Sequence, residues 1–215
     1  MVPCCSPMSN WVPSTAFLMP SHKISNFFHT SRALAAVALL FFLAPTQAQQ
    51  PQQLSLCMAC HGPQGNSQIP LTPSLAGQPK VFLENQLVLI REGLRDIPQM
   101  KGMLDGLKDA ELVAMANYFS AQTPIRVPTP VNSVTYQRGK DLARNMLCGT
   151  CHLPDYAGRQ QIPRLAGQQE EFLIYSMKQF RDHPGLGRDT IMAASLYGLK
   201  DGDLVDLAHF LANFK

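Results

Sequence analysis

A chain of 215 residues, 46% of them apolar, is long enough for one ordinary domain or two small ones. Its 18 Lys and Arg against 15 Asp and Glu give a formal charge of only +3, and no basic cluster with interleaved aromatic residues occurs, which sets nucleic-acid binding aside. No segment alternates apolar and polar residues in the manner of a strand, so the fold class expected is all-α.

The first 48 residues read as an export signal. Ala33 to Ala44 form an apolar run of twelve, with Lys23 and Arg32 upstream and no acidic residue before Glu84. Such a run is shorter than the about 20 residues a membrane-crossing helix needs. Thr46-Gln47-Ala48 then supplies small residues at both specificity positions of a signal-peptidase site, so cleavage is expected after Ala48; the competing reading is an uncleaved anchor, and Met19 is an alternative start. Removing the signal takes Cys4 and Cys5 with it. The remaining four cysteines lie in two five-residue stretches, CMACH at 57 to 61 and CGTCH at 148 to 152, which leaves no general disulfide framework.

After CMACH come "PSLAGQ" at 73 to 78 and a helical pattern of Phe82, Leu83, Gln86, Leu87 and Ile90. Met100 follows Pro98 in what reads as a loop, and Asp109 opens a second helix through "DAELVAMANYFSA". Pro124, Pro128 and Pro130 then forbid a continuous helix and favour an extended, semi-rigid linker. A helix from Tyr136 to Leu147 is expected to run directly into CGTCH. Beyond it lie "PRLAGQ" at 163 to 168, a helical pattern of Phe172, Leu173, Met177 and Phe180, a loop carrying Met192, and a closing helix from Asp201.

These elements recur in register. The motifs are 91 residues apart, the LAGQ segments 90, and "MKGMLDGLKDAEL" at 100 to 112 precedes "MAASLYGLKDGDL" at 192 to 204 by 92. The expected organisation is therefore a signal over 1–48, one domain over 49–122, a Pro-rich linker over 123–134 and a second domain over 135–215. Halves of this size hold a marginal core unless something staples them, and a large apolar cofactor in each would complete the core.

Three chemistries suit CxxCH. Zinc ribbons and fingers separate their Cys pairs by about 12 to 20 residues, whereas 87 residues separate Cys60 from Cys148. A thioredoxin-like dithiol needs a βαβ context that the sequence does not offer, and it leaves both histidines unexplained. Covalent c-type haem uses all five positions: Cys57 and Cys60, and again Cys148 and Cys151, add to the porphyrin vinyl groups, and His61 and His152 ligate iron.

The second axial ligand separates electron transfer from chemistry on a bound substrate. Met100 lies 39 residues after His61 and Met192 lies 40 after His152, each seven residues before a matched leucine, Leu107 or Leu199. Met103 competes with Met100, but its counterpart is Ser195, a poor iron ligand. His183 reads as a surface loop residue and His209 as a helix-face residue.

With CxxCH, LAGQ, the two methionines and GLKD in place, the chain resembles the dihaem cytochromes c4 over nearly all of residues 54 to 215. The resemblance implies two tandem class I cytochrome c-like domains, each wrapped around one covalent haem c, in an exported periplasmic protein of a kind often loosely associated with the inner membrane. It also implies that Gly139 packs closely against the C-terminal helix near Phe210. Two departures stand out: only "QQPQQLSL" separates the cleavage site from Cys57, so either the first domain lacks its N-terminal helix and exposes more of its haem or cleavage lies elsewhere, and Gln86 is matched by Ser176 in the second domain.

The function expected is an electron carrier, not an enzyme, that exchanges electrons with redox protein partners such as a terminal oxidase or a dehydrogenase. The alternative is the dihaem subunit of a periplasmic dehydrogenase such as a flavocytochrome. A dihaem peroxidase would need one open iron position, which the paired methionines argue against.

Overall fold

The structure, a computed structural model, describes residues 53–185 and 187–215; the expected signal over 1–48 and the approach residues 49–52 lie outside them. The first half contains α1 (Leu54–His61), a 3₁₀ turn (Pro63–Gly65), α2 (Lys80–Arg91), a 3₁₀ turn (Pro98–Met100) and α3 (Asp109–Ser120). The second contains α4 (Ser133–Asn145), α5 (Cys148–His152), α6 (Glu170–Asp182), α7 (Thr190–Leu196) and α8 (Asp201–Ala212). Among the described residues there is no strand, only an isolated bridge between Arg159 and Ile162.

Local chemistry explains the helix starts. At α3 and α8 the third helical residue, Glu111 or Asp203, turns its carboxylate back to accept from the backbone N–H of Lys108 (2.9 Å) or Lys200 (2.8 Å). Asn132 caps α4 by accepting from the N–H groups of Val134 and Thr135 at 3.1 and 3.0 Å, so this helix begins three residues before Tyr136. It also stops earlier than expected. Leu147 takes a left-handed conformation (φ 57°) and separates α4 from α5, whereas its counterpart Leu56 lies inside α1.

A second correction concerns Met192. It lies within helix α7, not in a loop, because Asp189 caps that helix by accepting from the Met192 N–H at 2.8 Å. The matching stretch of the first half contains Gly102 at φ +78° where the second has Ala194, so only the second continues as a helix.

Each half has its own core. Leu54, Leu83, Leu104, Leu112, Met115 and Phe119 fill the first, and each such buried side chain contributes about 2 kcal/mol of apolar transfer. The second gathers Leu173, Met177, Leu204, Leu207 and Phe210, with an edge-to-face aromatic group in which Phe210 meets Tyr136, Tyr156 and Phe214 at centroid distances of 5.2, 5.4 and 5.5 Å. The halves compensate for each other's differences in size. In the first, a Cβ on Gly65 would lie 2.7 Å from the Phe119 ring; in the second, the matched positions carry Tyr156 and Leu211.

Helix α4 crosses α8 at Gly139, the contact the resemblance implied. A Cβ there would stand 1.9 Å from the carbonyl oxygen of Asp206 and 2.8 Å from Phe210 Cβ. Arg138 closes the same crossing with a two-pronged pair to Asp206 at 2.6 and 2.8 Å.

The linker is fastened at both ends. Asn66 of the first half donates to Thr123 O at 3.2 Å and accepts from Ile125 N–H at 2.7 Å. Asn213 of the second accepts from Arg126 at 3.1 Å and from Thr129 at 3.0 Å. His209, expected on a helix face, proves to be buried and part of this fastening. Its Nε2 accepts from the Asn132 N–H at 3.0 Å, so its Nδ1 must carry the proton it donates to Glu170 at 3.1 Å. Both ring nitrogens are therefore engaged. His183 is exposed, as expected.

The substitution Gly139→Ala should force α4 and α8 apart and lower unfolding stability by about 3 kcal/mol, the upper end of overpacking costs. Denaturant titration should show an earlier midpoint with an unchanged slope.

Candidate metal centres

Helix geometry places the second cysteine of each motif nearly one turn beyond the first, so the two share a face, with the histidine at the helix end. All four thiols are free. Cys57 and Cys148 are half-buried and Cys60 and Cys151 are exposed. Burial pushes the Cys57 and Cys148 thiols above their ordinary pKa. Among the described residues no three His, Cys, Asp or Glu side chains converge as a metal cluster.

The histidines are held alike. His61 Nδ1 lies 2.8 Å from Pro73 O and His152 Nδ1 lies 2.9 Å from Pro163 O. A carbonyl only accepts, so each Nδ1 carries the proton and each Nε2 keeps its lone pair. This outer hydrogen bond sets the orientation and raises the basicity of a metal-binding imidazole. Burial lowers both histidine pKa values, and the proline hydrogen bonds oppose this only in part.

Neither proline was singled out as a site residue from the sequence, although each opens a recurring PxLAGQ segment. The segment is folded back by two backbone bonds. Leu75 and Ala76 donate to Gly65 O at 2.7 and 3.1 Å, and Leu165 and Ala166 donate to Tyr156 O at 2.9 and 3.2 Å.

Met100 and Cys57 are half-buried against the first core, and Met192 and Cys148 against the second. Met103 is 38% exposed, and Ser195 donates to Ile191 O at 2.8 Å within α7. The segments leading on from the methionines are tied down by a pair of arginines the sequence did not single out. Arg91 reaches Leu107 O at 2.9 Å and Asp109 at 2.8 Å; Arg181 reaches Leu199 O at 2.9 Å and Asp201 at 2.8 Å. Gln86 accepts from Arg95, and where Ser176 cannot play that part in the second half, Gln179 accepts from Arg188 at 3.1 Å. Burial and the like charge of Arg188 lower the Arg95 pKa.

Two free thiols on one helical turn, followed by a buried imidazole with its outer nitrogen satisfied and its inner one available, fit covalent haem. A half-buried thioether packs against the same core in each half. The arrangement, built twice on an all-α frame, defines a dihaem c-type cytochrome with two class I domains.

Comparisons with known proteins narrow this further. Residues 136–215 match the family model described as Cytochrome c. Cytochrome c4 of Azotobacter vinelandii is 32% identical over 175 residues, covering 73% of this chain and 83% of that protein. A protein of Thiomonas intermedia named thiosulfate dehydrogenase electron acceptor is 29% identical, covering 84% of this chain and 81% of its own. The crystal structure of reduced recombinant cytochrome c4 from Pseudomonas stutzeri superposes with a TM-score of 0.72 at 29% identity, covering 77% of this chain and 97% of that one. The chain belongs to the cytochrome c4 family. It is an electron-transfer protein, not an enzyme, with two covalently bound haem c groups. No helix among the described residues is long and apolar enough to cross a membrane.

Proposed function

We propose that Cys57, Cys60, His61 and Met100 hold one haem, that Cys148, Cys151, His152 and Met192 hold the other, and that the protein carries electrons in the periplasm between respiratory-chain partners. The observation that carries the reading is the twice-built hydrogen bond from a buried His Nδ1–H to a proline carbonyl, at 2.8 and 2.9 Å. It leaves each Nε2 prepared as a ligand, and no hydrogen bond among the described residues competes for it. When bound, each haem supplies an iron that gains and loses one electron. His61 with Met100, and His152 with Met192, would offer each iron an imidazole and a thioether, a ligand pair that suits electron transfer rather than chemistry on a bound substrate. Half-burial of Met100 and exposure of Met103 favour Met100 in the first half. Domain limits of 49–122 and 135–215, joined by the linker 123–134, agree with the two separate cores and with the fastening of the linker through Asn66 and Asn213. Export rests on the apolar run and on Thr46-Gln47-Ala48.

A second reading is an electron acceptor dedicated to one dehydrogenase, favoured by the relative that bears such a name. Stable co-purification with a catalytic subunit would select it over the free carrier.

Expression with a haem-attachment system should give an exported chain beginning at Gln49 with a mass increment of two haems. Met100→Ala and Met192→Ala should each remove about half of the weak red charge-transfer band of thioether-ligated ferric haem, given two equivalent sites. Met103→Ala should leave the band intact, and loss of the band in that variant instead would overturn the ligand set.

A further inference from the structure

The final residue of each LAGQ segment crosses to the other half. Gln168 Oε1 accepts from the Ser74 N–H at 2.8 Å, and its Nε2 donates to Ser74 O at 2.9 Å. Gln78 Oε1 accepts from the Arg164 N–H at 2.9 Å, and its Nε2 donates to Arg164 O at 3.0 Å. Ser74 and Arg164 occupy the same place in the repeat, so the four bonds form a reciprocal, two-fold-like set. Gln78, Gln168 and Ser74 are 5%, 6% and 8% exposed, so water does not compete at these positions.

The position of these bonds along the chain matters more than their number. The Ser74 N–H belongs to the same peptide group as the Pro73 carbonyl, which accepts from His61 Nδ1. The Arg164 N–H likewise shares its peptide with the Pro163 carbonyl, which accepts from His152 Nδ1. A peptide whose N–H is engaged is polarised toward a more negative oxygen, and hydrogen bonds in series strengthen one another by roughly 10–30% each.

We propose that Gln168 and Gln78 are crossed positioning residues. Gln168 of the second half, acting through the Pro73–Ser74 peptide, sets how strongly His61 is held as a ligand, and Gln78 of the first half does the same for His152 through Pro163–Arg164. Stronger withdrawal of the Nδ1 proton makes an imidazole a better donor and favours ferric over ferrous iron. Each half therefore tunes the potential of the other. This rests on the assignment of His61 and His152 as iron ligands.

The test uses the complete haem-loaded protein with ¹⁵N-labelled histidine. Gln168→Leu should shift the His61 Nδ1 proton upfield in the reduced form, leave that of His152 in place, and raise one of the two midpoint potentials. Gln78→Leu should do the converse, moving the His152 signal and the other potential. Gln168→Glu keeps an acceptor for the Ser74 N–H and should return the affected potential to the wild-type value or below. Gln169→Leu is the control: it removes another buried cross-interface bond, from the Gln169 side chain to Ser67 O, while the Gln169 N–H that also donates to Gln168 Oε1 at 3.0 Å stays in place, and it should move neither histidine. The proposal is overturned if Gln168→Leu leaves His61 unmoved, if Gln169→Leu moves it equally, or if Gln168→Glu behaves like leucine. If the ring signals of oxidised wild-type protein show no paramagnetic shift, the ligand assignment falls and the proposal with it. If they do and the crossed pattern is absent, the proposal alone falls.

Discussion

A buried imidazole can serve as a ligand only if one nitrogen is satisfied and the other is left bare, and in both halves of this chain a proline carbonyl makes that division. Proline has no N–H, so its residue offers the backbone only an acceptor. The carbonyl of Pro73 or Pro163 then has to be brought to the end of the CxxCH helix. That requires the loop after the motif to fold back, which the paired bonds onto Gly65 O and Tyr156 O accomplish. Much of the rest follows from holding that loop still: α2 and α6 leave it directly, and Gly77 and Gly167 tie it to the carbonyls of Phe119 in α3 and Leu211 in α8, each at 3.0 Å.

The two halves preserve this arrangement while differing in most of what surrounds it. The residue after each motif takes a positive φ whether it is Gly62 (78°) or Leu153 (69°), although only glycine does so without steric cost. The second half tolerates the cost within a larger core, stiffened by the aromatic contacts of Phe210 and by the α4–α8 crossing at Gly139. The described part of the first half has no counterpart to α4, and Leu54 within α1 supplies the apolar contact ahead of the motif.

Between the halves, the contacts are polar yet fully satisfied: no buried side-chain nitrogen or oxygen among the described residues lacks a partner. Buried amides that each meet an N–H and a C=O specify one alignment, because a small slip would leave several polar groups desolvated and unpaired. The linker reinforces that alignment through Asn66, Asn213 and His209. The described residues accordingly form one compact unit with two cores.

Much of this was legible in the sequence. Helical periodicity located α2, α3, α6 and α8, and the duplicated CxxCH, LAGQ and GLKD segments exposed the repeat, because these signals are local and depend on spacing alone. The left-handed break at Leu147, the helical setting of Met192 and the burial of His209 were not, since each depends on which neighbour competes for a backbone group. The parts of Pro73, Pro163, Gln78 and Gln168 lay further out of reach. A repeat shows that a position recurs, but it cannot tell whether that residue's hydrogen bond closes within its own copy or crosses to the other. Gln168 and Ser74 are 94 residues apart, and only the docking of the two halves brings that amide to the peptide that holds His61.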